Sequence, residues 1–388
     1  MQIIYAQEAI PTNISKSIFL AGPTPRNDED LSWRKLALTI LDNMGFNGVV
    51  MVPEPKTGIN FKDLVEGDGY AKQIEWEEEC LNAADKILFW VPRVMEGMPG
   101  VTTAEEYGEW KHSNKCVFGA PKEAEKVRYS QYYAKKLGIP MYNNLYLALA
   151  RVVTDLGFGA ERLNDDAKVP LNIWKHSAFK SWYNSLTKNN NKMTNPKVLW
   201  SFAPGGNMFA FILKADIWIE DEQRYKTNEF FFGRPDISSC VIYCKNDNNI
   251  LNTDVVIVSE YRVPVRNSDS MVYELPGGSS KVSEDPLQTV SDEIYEETGL
   301  IIDKERLTSF GFRQLQATTL SHGCNLYAAE IDSYEMELIK SKKNQMFGNA
   351  EDTEQTYLKV MTVSDILNSD LLDYSNIGMI MEVLLKNN

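Results

Sequence analysis

Three glutamates fall within the stretch Glu293-Ile294-Tyr295-Glu296-Glu297, and their spacing is the chemically loaded feature of this 388-residue chain. On a helix, residues three and four apart share a face, so all three carboxylates would point the same way. A helix is predicted there. Asp285 suits an N-cap, Pro286 the first turn and Gly299 a C-terminal stop. Three carboxylates on one face repel each other, and a hard divalent cation with oxygen ligands, Mg²⁺ or Mn²⁺, would offset that. The turn at Gly277-Gly278 lets a backbone carbonyl approach the same ion. The metal set is therefore Gly277, Glu293, Glu296 and Glu297, with Glu296 and Glu297 also as catalytic candidates. A metal so held clamps a pyrophosphate and activates water. A solvated Glu-rich helix face is the bland alternative, and the commoner one for Glu-x-x-Glu-Glu taken alone.

The spacing as a whole is more specific than that triplet. From Gly278 the chain runs five residues to Glu284 and seven more to Asp292-Glu293-Ile294-Tyr295-Glu296-Glu297-Thr298-Gly299-Leu300. This resembles the Nudix box, with a single departure, Asp292 where the family has Arg. In the family that Arg orients the Glu matching Glu296, and an Asp adds repulsion instead. Upstream, Glu260-Tyr261-Arg262 and Glu274-Leu275-Pro276-Gly277-Gly278 resemble the ADP-ribose pyrophosphatase branch. That resemblance implies roles for Arg262 and Glu274 around a nucleoside diphosphate sugar. A surface salt bridge is the competing reading for Arg262, and Arg234 is a weaker candidate. Glu351 and Glu354 occupy the place where this branch carries a loop Glu acting as base. The branch's Ser-Pro-Gly signature is not intact in the segment Ala317–Leu326, ATTLSHGCNL.

The N-terminal part reads as alternating strands and helices. Ser17–Ala21 (SIFLA), Gly48–Val52 (GVVMV), Asp85–Pro92 (DKILFWVP) and Lys115–Gly119 are predicted strands. Helices are expected from about Ser32, with Trp33, Leu36, Ile40 and Leu41 as the apolar stripe, over Tyr70–Ala84, and from Thr103. This alternation indicates an α/β domain with a parallel sheet, whose reactive groups gather at the carboxyl ends of the strands. Gly22–Arg26 and Pro92–Glu106 fall at such ends.

The runs IFLAGPTPR, QIEWE, ADKILFW and TTAEEYGEW resemble the nucleoside 2-deoxyribosyltransferase superfamily, including its nucleotide N-glycosidases, over about residues 15 to 150. The resemblance implies a nucleophilic Glu at Glu106, with Glu105 and Glu109 as near competitors in the same acidic run. It also implies a catalytic Asp at Asp85. Phe19, Gly22, Pro23, Gln73 and Trp76 are the substrate-binding candidates, with Glu77 beside them. In the family the Glu attacks the anomeric carbon, and two nearby carboxylates suit that chemistry. An acidic first helical turn is the alternative for Glu105–Glu109. For Trp76, base stacking and core packing stand level.

Composition bounds the rest. Hydrophobic content of 43% with 11% aromatics indicates a folded chain, and the formal charge of −14 argues against nonspecific nucleic-acid or anionic-membrane binding. Five cysteines without a framework spacing fit a reducing cytosol. Cys240 and Cys244 read as buried thiols on one strand face. Met1–Asn13 shows no signal-peptide pattern, so a cytoplasmic protein is expected. The aromatics of Lys168–Leu186 read as a packed helix face, and Lys188–Lys192 as a polar turn or linker, the best boundary signal in the chain.

The predicted architecture is α/β throughout. A Rossmann-like parallel-sheet domain spans 1–150, a helical extension 151–210, and a Nudix α/β/α sandwich with a mixed sheet 211–388. The expected protein is a bifunctional enzyme on nucleosides or nucleotides. Its first domain transfers or hydrolyses an N-glycosidic bond, and its second cleaves an ADP-ribose-like pyrophosphate with Mg²⁺. Deoxynucleoside base exchange with nucleotide clearance is a second enzymatic reading. A catalytically weak Nudix half acting as nucleotide sensor is the alternative of another class. Both families self-associate, which implies a homo-oligomer.

Overall fold

The computed structural model describes residues 1–26, 31–56, 64–279, 285–342, 345–347 and 355–387. The chain divides into two compact units, Met1–Gly233 and Arg234–Asn388. Among the described residues, no helix is long and apolar enough to cross a membrane.

The first unit is built on a six-stranded sheet ordered β1-β4-β3-β5-β6-β7, parallel at every pairing. Its strands are β1 (Gln2–Tyr5), β3 (Ser17–Ala21), β4 (Val49–Val52), β5 (Lys86–Trp90), β6 (Cys116–Gly119) and β7 (Met141–Tyr142). Two short strands, β2 (Asn13–Ile14) and β8 (Arg162–Leu163), pair with each other. Helices cover both faces, which is why the central strands β3 and β5 are apolar beyond their first residues, Ser17 and Lys86. On one face α2 (Gly69–Ala83), α3 (Val101–Trp110) and α4 (Arg128–Lys136) pack over Phe19, Ile87, Phe89 and Phe118. On the other, α1 (Trp33–Asn43) and α5 (Leu145–Leu156) pack over Ile18, Leu20, Leu88 and Trp90. The stripe of α1 differs from the predicted one. Ala37 replaces Leu36, which is exposed, and Arg34 is buried because strand-end carbonyls satisfy its guanidinium.

Beyond the parallel sheet come a short helix α6 (Leu171–Trp174), helix α7 (Ser177–Lys188) and an antiparallel sheet ordered β11-β10-β9. Its strands are β9 (Lys192–Phe202), β10 (Ala210–Ile219) and β11 (Arg224–Gly233). Phe179 and Ile173 share a core with Phe211, Leu213 and Ala215, so the aromatics of α7 are packing residues as expected. The same core corrects the predicted domain boundary. Residues 211–233 belong to the first unit because they complete this sheet, and Lys188–Lys192 is the turn from α7 into β9, inside the first unit and not at its boundary.

The second unit carries a mixed sheet ordered β16-β17-β12-β13-β19-β18, with β14 beside β13 and β15 beside β12. The strands are β12 (Ile237–Cys244), β13 (Asp254–Glu260), β14 (Val272–Glu274), β15 (Gly277–Gly278), β16 (Thr308–Gln314), β17 (Gly323–Glu330), β18 (Met346–Phe347) and β19 (Thr356–Thr362). Helices α8 (Pro286–Thr298) and α9 (Ser333–Ser341) pack on one face. Helices α10 (Val363–Leu367) and α11 (Tyr374–Lys386) pack on the other, which makes a three-layer α/β/α unit. Cys240 and Cys244 lie in the α8-side core as free, buried thiols.

One buried ion pair anchors the first unit at the amino-terminal end of β5. Asp85 Oδ2 accepts from Arg162 Nη2 at 2.6 Å, and Oδ1 accepts from Arg162 Nη1 at 2.7 Å, with both side chains fully buried. The same carboxylate accepts the backbone N–H groups of Ser17 and Leu171, each at 2.8 Å. Such a pair is costly to break because the surviving charge is left buried. Arg162→Met should therefore destabilise the chain by about 3–5 kcal/mol, read as a lowered denaturation midpoint of the first unit. Asp85→Leu added to Arg162→Met should restore part of that loss.

Candidate active site

At the opposite, carboxyl-terminal end of the parallel sheet, the first turn of α1 delivers a buried guanidinium. Ser32 caps the helix by accepting the Arg34 N–H and donates its own hydroxyl to Glu54. Arg34 Nε donates to the Leu20 carbonyl at 2.9 Å and Nη2 to the Gly22 carbonyl at 2.6 Å. Its Nη1 reaches Thr24 Oγ1 at 3.1 Å and Glu54 Oε1 at 2.6 Å. One side chain thus ties the end of β3 to the segment leaving β4. The turn between β3 and α1 is tight. A Cβ on Gly22 would sit 2.1 Å from the Trp90 carbonyl, so that position admits glycine only. Trp33 Nε1 holds the Pro23 carbonyl at 3.2 Å.

Helix α3 brings the acidic run to this end. Tyr107 faces the core, with its ring 5.1 Å from both Phe89 and Phe118, and this fixes the rotation of the helix. Glu105 and Glu109 consequently face solvent, and Glu106 alone of the three is half-buried. Burial pushes the Glu106 carboxyl up to about 8; the negative charge of Glu77 adds to the rise and Arg34 opposes it. Glu77 is raised as well, chiefly by burial, against a hydrogen bond from Gln73 and the charge of Arg34. Gln73 Nε2 donates to Glu77 Oε1 at 2.8 Å, while Gln73 Oε1 is buried and has no partner among the described residues. Two carboxyls with upward-shifted pKa values thus share one cation. Glu106 therefore holds its proton near neutral pH.

In the second unit, Asp285 caps α8 and Gly299 ends it in the left-handed region at φ 66°, as predicted. Glu293 and Glu297 meet the diglycine strand. Glu297 Oε2 accepts the Gly277 N–H at 2.9 Å, and a Cβ on Gly278 would lie 2.5 Å from Glu293 Oε1. Glu296 is exposed. Asp292 is also exposed and accepts from Gln288 Nε2 at 2.7 Å. No three acidic, His or Cys side chains converge among the described residues. Of the expected metal set, Glu293 and Glu297 are the carboxylates that face the diglycine strand. Beside β14, burial pushes Glu274 up to about 7, a shift opposed by Arg262 and Arg234 and increased by Glu260 and Asp373. Arg262 Nη2 pairs with Glu260 at 2.8 Å on the surface, and Arg234 Nη2 donates to Ser279 Oγ at 3.3 Å.

Residues 15–124 match the family described as nucleoside 2-deoxyribosyltransferase like. The match spans the parallel sheet from β3 to β6 with α1, α2 and α3, and it contains Arg34, Gln73, Glu77 and Glu106. No curated protein matches the chain.

Of the expected N-terminal residues, the structure gathers Gly22, Pro23, Gln73 and Glu106 at one end of the sheet. Three expectations are corrected. Asp85 lies at the other end, fully occupied by Arg162 and backbone amides. Phe19 is completely buried under the sheet's helices. Trp76 is a core residue whose Nε1 donates to the Glu8 carbonyl at 2.7 Å. In the second unit Glu296 is turned outward. Glu284, Glu351 and Glu354 lie outside the described residues. Sequence reasoning missed Arg34 and Glu54. The signal for them was a cation in the first turn of an apolar helix, together with an acid between Pro53 and Pro55.

The raised Glu106 has two measurable consequences. Its carboxyl should titrate near pH 8, and Glu77→Gln should lower that midpoint by removing a like charge, as read by carboxyl-carbon NMR. The folded chain also holds a proton on Glu106 that the unfolded chain releases near its ordinary value of 4.5. The corresponding stability is full below that pH and is lost as pH rises through about 8. Glu106→Gln should flatten this part of the pH–stability curve.

Proposed function

We propose that the first unit breaks or exchanges the N-glycosidic bond of a nucleoside or nucleotide, with Glu106 as nucleophile. The observation that carries this reading is the selective burial of Glu106 beside Glu77 and Arg34 at the carboxyl end of a parallel sheet. It is supported by the nucleoside 2-deoxyribosyltransferase-like match over the same segment.

Glu106 must be ionised to attack the anomeric carbon, and Glu77 is the group placed to take its proton. As the ester bond to Glu106 forms, the glycosidic pair leaves with the base, which is neutralised by the proton returned from Glu77. Water or a second base then attacks the same carbon and gives its proton to Glu77, and Glu106 leaves as the carboxylate. Glu106→Gln should abolish base release, while Glu105→Gln and Glu109→Gln keep it. Mass spectrometry of nucleoside and nucleotide mixtures reads this directly. Equal loss in all three variants would overturn the assignment. Glu77→Gln should slow base release by about 10²–10⁴-fold.

For the second unit we propose a Nudix-type pyrophosphohydrolase, supported by the seating of Glu293 and Glu297 against Gly277-Gly278 and by the capping of α8 at Asp285 and Gly299. Bound Mg²⁺ or Mn²⁺ would supply Lewis-acid stabilisation of the pyrophosphate. Glu293 and Glu297 would hold it, and Arg234, Arg262 and Glu274 would position the nucleoside diphosphate. One route joins the two chemistries: removal of nicotinamide from a dinucleotide, then cleavage of the ADP-ribose-like product to AMP. Incubation with NAD and Mg²⁺ should yield nicotinamide and AMP, with Glu297→Gln blocking only the AMP. The exposure of Glu296 and the Asp292–Gln288 bond favour a second reading, a unit that senses nucleotide without cleaving it. Saturable nucleotide binding without AMP from ADP-ribose would identify that case.

A further inference from the structure

On the face of the mixed sheet opposite α8, a cavity of about 240 Å³ opens between β16, β17 and α11. Phe310, Tyr374 and Met379 offer it apolar surface, and Arg313, Gln314 and Glu382 a polar edge.

Two glycines border this cavity, and one of them stands where another residue would serve the local fold better. Gly378 sits in the middle of α11, where glycine costs about 1 kcal/mol relative to alanine. A Cβ there would meet nothing within 4 Å, so no packing demand accounts for the choice. Gly311 lies in the left-handed region at φ 88°, just after a register shift in β16, and its Cβ would also meet open space. The shift has a directional effect. Ser309 pairs with Tyr327 but Gly311 with Leu326, so Phe310 is an extra residue. Because side chains alternate along a strand, that insertion puts Arg313 opposite Cys324 where Phe312 would otherwise stand. The bulge therefore carries a cation to the cavity edge. Arg313 Nε meets Glu382 there at 3.0 Å, and Gln314 adds an amide.

Glu382 at this edge is shared by Arg313 and Lys386, so the edge offers donors and an acceptor, and the aromatic walls suit a flat ring such as a nucleobase. We propose that this cavity is a second ligand site, which takes the nucleobase of a nucleotide. The seat stands on the geometry of the second unit, and the nucleotide class rests on the N-glycosidic reading above.

The test is photolabelling of the full chain with azidoadenosine and azidouridine monophosphates, followed by peptide mapping. Label is expected on Phe310–Leu315 or Tyr374–Glu382 from at least one probe. Gly378→Leu, which fills the cavity, should reduce it about tenfold or more without slowing base release by Glu106. Gly378→Ala should hold or raise the melting temperature, which shows that the helix tolerates a side chain there. Absence of label from both segments, or undiminished label in Gly378→Leu, overturns the proposal. Label here in a chain that releases no base would refute the N-glycosidic reading and leave this site standing.

Discussion

The buried guanidinium of Arg34 is the constraint on which the candidate active site depends. It satisfies carbonyls at the end of β3 and a carboxylate beyond β4, so two strand ends and the first turn of α1 are held by one group. A cation that deep is tolerated because every direction it faces holds an oxygen. Its second effect is electrostatic. Glu106 and Glu77 both feel its charge, and it limits a rise in their pKa values that burial and mutual repulsion would otherwise carry further. A structural tie and an acid–base setting are thus the same side chain.

The parallel sheet separates two kinds of charge. At its amino-terminal end, Asp85 and Arg162 form a closed arrangement with both carboxylate oxygens occupied. Nothing is left there to meet a substrate. At the carboxyl-terminal end, the buried Gln73 Oε1 has no partner among the described residues, and burial displaces the protonation equilibrium of Glu106. A closed ion pair marks one end of the sheet, and a carboxyl whose protonation is displaced by burial marks the other.

The second unit repeats that contrast on a helix. Glu293 and Glu297 are drawn to the diglycine strand because its backbone presents an N–H and leaves room where a Cβ would stand. Glu296, one residue from Glu297, rotates away with the helix. Asp292 finds Gln288 one turn back, so its charge is directed outward.

Much of this was legible in the residues alone. Uninterrupted apolar strands announced a sheet covered on both faces, and Asp285, Pro286 and Gly299 announced the limits of α8, because capping and burial are local demands that one stretch of chain expresses by itself. The resemblance pointed to Glu106, while the residue types alone left Glu105 and Glu109 as competitors in the same acidic run. Tertiary structure made the choice, since Tyr107 had to enter the core between Phe89 and Phe118 and only Glu106 was then left half-buried. Asp85 and Trp76 were misread for the same reason. Their partners, Arg162 and the Glu8 carbonyl, lie about 70 residues or more away in sequence, and no local pattern reports a bond over that distance. The place of residues 211–233 was likewise decided by hydrogen bonding to β9 and packing on Phe179. Sequence determined which segments must be strands, helices and caps; only the packed chain decided which charges are satisfied and which remain to do chemistry.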